Sequence, residues 1–227
     1  MVEGATKERS EPSSDDFYPN PEEALGVDPT ILNSQYPQLY SGFSKSGCPV
    51  FYSKVGKLNI DGIECITTFN GMLKYHWHVM QHDYRNRLLQ FKAKNPDFTN
   101  FQCVSIIDLK NLTLSMLNSR TLDLTKKQSF IDSLCYPETM NKMIIVNAPR
   151  LFNMSWTLIK GWLDERTQNK IELFSSTSAA HKKLKELIDL DQLPSDYGGT
   201  AETTDETLAK SFKGGIERLV TEVMAVR

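Results

Sequence analysis

Most of the signatures by which a chain of this size reveals its chemistry are missing here, and each absence removes a class. The sequence contains no GxGxxG, no P-loop pattern GxxxxGKS or GxxxxGKT, and no GxSxG. Neither a dinucleotide turn, a phosphate-cradling loop nor a hydrolase nucleophile elbow is therefore indicated. The serine pair Ser175-Ser176 lacks the flanking glycines of an elbow. Cys48, Cys65, Cys103 and Cys135 lie far apart without CxxC spacing, and nothing near the start resembles a signal peptide. That combination predicts a reducing, cytoplasmic setting. The formal charge is only -2 and no Lys/Arg run stands out, so no nucleic-acid partner is expected. No apolar run is long enough to span a bilayer, because the best window, around Leu151, is broken by Arg150, Asn153 and Lys160. Any membrane contact is then peripheral.

What is present fits one large domain or two small ones, with 40% apolar and 24% charged residues in 227. The opening stretch, from Met1 to about Gly26, is rich in Glu, Ser, Pro and Asp. It offers too little apolar surface to repay its ordering entropy. A largely disordered arm over 1–35 is predicted, with Phe17 and Tyr18 as the residues able to dock on the body.

From Tyr36 the pattern changes. Pro49 to Val55 predicts a strand, with the proline tolerated at its first residue. Ile66, Phe69, Leu73, Trp77, Met80, Tyr84, Leu88 and Phe91 recur in steps of three and four, which predicts a single helix ending before Asn95-Pro96. His76, His78 and His82 lie on that segment. His78 and His82 can share a face, but His76 points elsewhere and no HExxH context exists, so no metal site is predicted. Phe101 to Leu109 predicts a buried strand whose Ser105 and Asp108 need polar partners. Asn111 to Cys135 predicts helix with a break near Thr121 to Asp123. Met143 to Ala148 and Ile171 to Phe174 predict two more strands, and Pro149 is placed to open a helix between them. Strands alternating with helices imply an α/β fold with a mostly parallel sheet. A short basic helix over 181–189 and a turn at Pro194 to Gly199 come next. The tail, 201–227, predicts an amphipathic helix with Leu208, Phe212, Ile216, Leu219, Val220 and Val223 on one side and a joint at Gly214-Gly215.

One segment departs from the rules for a surface helix. Between Leu151 and Leu163 the apolar residues are Leu151, Phe152, Met154, Trp156, Leu158, Ile159, Trp162 and Leu163, which leaves no wide polar face. Such a helix is either sunk in a core or faces something apolar that is not protein. Carboxylates near element ends, Asp108, Glu138 and Asp164, are explained by capping or ion pairing, and no residue set predicts catalysis.

The blocks GCPVFY, CVSIIDLKNLTLSML, YPETMNKMIIVNAPRLFNMSWTLIKGWLDERTQNKI and LPSDYGG, in that order and spacing, resemble the CRAL-TRIO lipid-binding domain. The likeness is to phosphatidylinositol transfer proteins of the yeast SEC-fourteen type, and it covers about 36–200. It implies a sheet floor with helical walls around one phospholipid, no other cofactor, a monomer, and a mobile gate helix over the pocket. Gate and acyl-chain contacts would come from Leu151, Phe152, Met154, Trp156, Ile159, Trp162 and Leu163. The resemblance places the inositol-lipid headgroup at Glu138, Thr167 and Lys170, where an ammonium and a hydroxyl suit a phosphodiester.

Other positions depart from the family pattern. Tyr40 and Ser105 match hydroxyl-bearing positions of its phosphatidylcholine site, but Phe51 stands where a tyrosine is usual and Cys103 where a serine is. Both changes weaken hydrogen bonding, so altered or weak phosphatidylcholine use is implied. Asn141 occupies a hinge position where glycine is found, whereas Gly199 keeps the second hinge. The family also carries a helical domain before the lipid domain, and the acidic arm is too short and polar to replace it, which implies a missing front end or a divergent short form. Two other functions fit the same pocket: binding a retinoid, tocopherol or sterol, or serving as an interaction module without lipid.

Overall fold

In the computed structural model, which describes residues 18–225 and side chains as far as Gly214, ordered structure begins earlier than composition predicts. Helix α1 (Pro21–Leu25) is capped by Asn20 and ends at Gly26 with φ 87°, a left-handed turn that glycine takes without a Cβ clash. Helix α2 (Pro29–Gln35) is capped by Asp28. Leu25 and Leu32 are buried with Ile63, Met72 and Leu124. The arm predicted over 1–35 is thus corrected from Asn20 onward. Asn20 and Asp28 each precede a proline and act as N-caps, and apolar anchors offset the ordering of two short elements. Phe17 and the acidic residues before it lie outside the described residues. The Tyr18 carbonyl accepts from His78 Nδ1 at 2.6 Å.

Five strands form one sheet in the order β1 (Gln38–Phe43), β2 (Pro49–Ser53), β3 (Cys103–Asp108), β4 (Met140–Val146), β5 (Ile171–Leu173). β1 is antiparallel to β2, and the pairs from β2 to β5 are all parallel. Helices α3 (Ile60–Ile66), α4 (Phe69–His78) and α5 (Arg85–Lys94) connect β2 to β3. Helix α6 (Ser119–Cys135) leads to β4, and α7 (Phe152–Lys160) with α8 (Glu165–Gln168) leads to β5. Each parallel strand is added on the same side of its predecessor. Right-handed crossovers that all advance one way put their helices on one face, so the other face needs a separate cover. Helix α9 (Thr177–Leu187), after the last strand, supplies it.

The two faces are packed differently. Toward α9, Val50, Tyr52, Val104, Ile106, Ile144 and Val146 meet Ala180, Leu184, Ile188, Leu193 and Tyr197, and none is more than 2% exposed. Toward the crossover helices, Phe51, Ser105, Ile107, Met143, Ile171 and Leu173 are only half-buried. Buried on that face are Ile145, which packs with Phe152 of α7, and, nearer its edges, Ser53 and Cys103. The helical wall has a core of its own, built on Leu25, Leu32, Leu58, Ile63, Met72 and Leu124, to which no strand contributes a buried residue. A wall that closes on itself leaves the sheet face beside it incompletely covered.

Local physics moves several boundaries. The segment predicted as one helix breaks at Thr67, and Thr68 caps α4 by accepting from the Gly71 N–H. Helix α4 then enters α5 through a π-helical turn, Val79–Tyr84. One inserted residue rotates the rest of the helix by about 100°. Tyr84 is consequently buried while α5 buries none of its residues. Helix α6 has no break at Thr121 to Asp123. The interruption precedes it, at the Leu114–Met116 3-10 turn, and Asn118 caps the helix through the Thr121 N–H. Helix α7 starts at Phe152, one turn after Pro149, whose carbonyl accepts from the Phe152 N–H at 2.9 Å. Helix α9 starts before His181 because Ser176 caps it.

Helix α10 (Thr204–Ala225) runs on through Gly214 and Gly215, while the side chains of Ile216, Leu219, Val220 and Val223 lie outside the described residues. Its start is pinned to the sheet. Lys54 Nζ, on a side chain 7% exposed, donates to Asp205 at 2.8 Å and to Asp196 at 3.4 Å. Lys57 joins Asp205 at 3.1 Å.

Candidate functional site

Two of the singled-out residues, Glu138 and Lys170, meet at the β4–β5 end of the sheet, and Thr167 lies one turn before Lys170. Glu138 lies between α6 and β4 with φ 63°. Its carbonyl accepts from Gln102 Nε2 at 3.2 Å, and Gln102 Oε1 accepts from Asn141 Nδ2 at 2.8 Å. Asn141 is the extra residue of a bulge, because the register passes from Cys103 opposite Met140 to Val104 opposite Lys142. Lys170, immediately before β5, donates from Nζ to Glu138 Oε2 at 2.7 Å, with 24% of the lysine side chain exposed. The hydrogen bond from Lys170 and its charge hold the Glu138 carboxyl below the usual range, with Arg166 helping and Asp164 opposing. Thr167 is joined through the backbone, since the Lys170 N–H donates to its carbonyl at 3.1 Å. Its hydroxyl donates to Asp164 Oδ2 at 2.6 Å, part of the cap of α8.

The second set gathers at the β1–β3 end. Register places Tyr40 opposite Phe51, Phe51 beside Ser105, Ser105 beside Met143, and Met143 beside Ile171. One row therefore crosses the sheet from Tyr40 to the residue after Lys170. Four strand spacings make that row roughly 19 Å long. The Tyr40 and Phe51 rings lie 4.9 Å apart. Burial pushes the Cys103 thiol up to about 12, against a hydrogen bond with Ser105. Burial likewise holds the Tyr40 phenol well above its ordinary value. Asp108 finds Tyr197 at 3.0 Å and Asn147 at 2.7 Å.

Helix α7 covers the neighbouring row. Phe152 is buried, and Leu151, Trp156 and Ile159 are half-buried in the same cluster as Ile107, Ile145 and Leu173. Met154 is 86% exposed and Leu158 50%, so the helix shows an apolar face outward as well. Trp162 and Leu163, just past its end, are half-buried, and Lys126 of α6 lies 5.8 Å from the Trp162 ring. No side chain caps the helix at its start. Of the two positions at which the resemblance implies hinges, Asn141 is tied to Gln102 as described. Gly199 is closely packed, and a Cβ there would stand 1.8 Å from the Leu193 carbonyl oxygen.

The histidines separate as their spacing requires. His76 Nε2 pairs with Asp132 at 2.7 Å, while the His78 and His82 rings stack at 5.1 Å. No group of three metal-ligating side chains occurs among the described residues. Among those residues, too, no helix is long and apolar enough to cross a membrane.

Sequence reasoning missed Arg87 and Gln102. Arg87 reaches the face of the Tyr40 ring, its guanidinium carbon 4.9 Å from the centroid. Arg87 sits three residues after Tyr84 and four before Phe91, but the π turn just before it hides from periodicity which face it takes.

Comparison with known proteins gives concordant results. The CRAL/TRIO domain family model matches residues 33–199. The phosphatidylinositol/phosphatidylcholine transfer protein SFH4 of Arabidopsis thaliana is 32% identical over 177 residues, 75% of this chain and 28% of that protein. The SEC14 cytosolic factor of Candida glabrata is 32% identical over 175 residues, 77% of this chain and 57% of that protein. The chain thus spans between about a quarter and somewhat over half the length of these two relatives. The crystal structure of Sfh5 shares the fold, with a TM-score of 0.60 at 18% identity, covering 91% of this chain and 70% of that one.

Proposed function

The chain belongs to the CRAL/TRIO domain family, and on that footing we propose that it takes up phosphatidylinositol and transfers or presents it at membranes. Acyl chains lie along the half-buried sheet face under α7, and the headgroup sits at the outer end of the row. Lys170 carries the reading, as a partly exposed ammonium immediately before β5, at the end of the half-buried row. Glu138 holds that ammonium in place until a phosphodiester arrives, and then it accepts from inositol hydroxyls. Thr167 donates to the same headgroup once its hydroxyl turns from Asp164. Met154 and Leu158 give α7 an outer surface that can enter the headgroup layer of a membrane, with Trp162 at the interface. The chain contacts membranes peripherally from the cytoplasm, binds lipid as its ligand and catalyses no reaction. Relatives whose names describe lipid transfer support this reading.

Native mass spectrometry of the protein after incubation with vesicles of phosphatidylinositol and phosphatidylcholine tests it. A phosphatidylinositol adduct that Lys170→Ala abolishes is the expected outcome. Retention of the adduct by that variant would sink the headgroup assignment, and absence of any lipid adduct would favour an interaction module.

A further inference from the structure

The β1 end of the half-buried row holds a charge that the inositol-lipid site does not use. Arg87 projects from α5 onto the Tyr40 ring, with its guanidinium carbon 4.9 Å from the centroid, and is half-buried. Among the described residues it takes part in no ion pair. The carboxylate nearest to it in sequence, Asp83, faces His78 Nε2 at 3.6 Å. Ser105 lies one strand beyond Phe51, which itself pairs with Tyr40. The donors at this end of the row are the Arg87 guanidinium, the Tyr40 phenol and the Ser105 hydroxyl, and Cys103, two residues before Ser105, is a neutral thiol.

That composition is wrong for a choline headgroup. A quaternary ammonium seeks open aromatic faces, but the Tyr40 face already carries a cation. Phe51 adds a ring without a hydroxyl. We propose that the β1 end of the row is an anion site, in which Arg87 with the Tyr40 and Ser105 hydroxyls receives a second lipid whose headgroup is a bare phosphomonoester, as in phosphatidic acid. The planar guanidinium fork offers two parallel N–H donors to one phosphate, and the two hydroxyls supply the rest. A terminal phosphate presents three acceptor oxygens and no cation, so it answers every donor and adds no repulsion toward Arg87. The proposal rests on the lipid-uptake reading but not on the Lys170 headgroup site, which lies at the other end of the row.

The test is competitive loading of the purified protein from vesicles containing phosphatidylinositol, phosphatidylcholine, phosphatidic acid and oleic acid, read by native mass spectrometry. Phosphatidic acid is expected to load over phosphatidylcholine by roughly tenfold, the scale of one charge-assisted contact. Arg87→Gln is expected to remove that preference while phosphatidylinositol loading stays as it was, which also reports that the variant is folded. Arg87→Lys is expected to keep part of it, since the charge remains and the fork is lost. Equal loading of phosphatidylcholine, oleate loading in place of phosphatidic acid, or an unchanged preference in Arg87→Gln would each overturn the proposal. Loading of phosphatidic acid without phosphatidylinositol would overturn the Lys170 site and leave this one standing.

Discussion

Cys103 and Cys65 illustrate how far one residue type can diverge within a chain. Cys103 is buried beneath the row and holds its proton up to about 12, whereas Cys65, near the end of α3, is exposed. Only the thiolate attacks alkylating reagents, so access and proton affinity both protect the buried thiol. Iodoacetamide at neutral pH is expected to label Cys65 first and to reach Cys48, Cys103 and Cys135 only on unfolding, as peptide mass mapping would read. Gly199 gives a second prediction. Its Cβ position lies 1.8 Å from a backbone oxygen, so no side-chain rotation relieves Gly199→Ala. A loss of roughly 1–3 kcal/mol in chemical denaturation is expected, the cost of overpacking. At this scale the residues proposed for the headgroup were legible as one distinctive stretch holding Glu138, Thr167 and Lys170, of which Glu138 and Lys170 meet at 2.7 Å. Arg87 was not. A π turn shifts the phase of every later residue in the helix, and periodicity alone cannot show on which face the next arginine emerges.

Elements were legible where their signal is local. Apolar, β-branched runs gave β3, β4 and β5, and the crossovers between them came from alternation. Helix ends were less so, because side-chain caps at Thr68, Asn118 and Ser176 decide them, and a capping hydroxyl or amide looks like any polar residue until its N–H partner is known. Helix α7 yields a prediction at this scale. Met154 and Leu158 touch little of the body, so Met154→Glu with Leu158→Glu is expected to leave stability within about 0.5 kcal/mol while slowing lipid exchange with vesicles several-fold. Unchanged exchange would mean that the outer face of α7 does not meet the bilayer. Helix α10 offers a pH prediction. Burial pushes the Asp205 carboxyl up, but hydrogen bonds from Lys54 and Lys57 outweigh it and hold it below its ordinary range. A depressed carboxylate contributes stability above the unfolded-state value and loses it as pH falls through the folded one. The start of α10 is therefore expected to loosen at pH below about 4, seen as faster amide exchange at 204–208 while the sheet amides stay protected. Lys54→Met should bring the same loosening at neutral pH.

For the whole molecule, the sequence indicated a sheet with helical walls but not the inequality of its two faces. That inequality comes from winding the sheet in one direction only, a property of the connections between elements and of no single element. One face is sealed by α9 against Val50, Tyr52, Val104, Ile106, Ile144 and Val146, while the other waits half-covered. The consequence is a division between what must persist and what can be exchanged. Because the sealed side needs nothing from the half-covered one, the proposed lipid guest is expected to leave without loss of the fold, much as a bound book keeps its spine when a leaf is taken out. Hydrogen exchange should then sort into two classes: amides of β2 to β4 that take the same time with or without lipid, and amides of α5 and α7 that slow several-fold when lipid is loaded. Uniform slowing across both classes would mean that the spine itself depends on the guest.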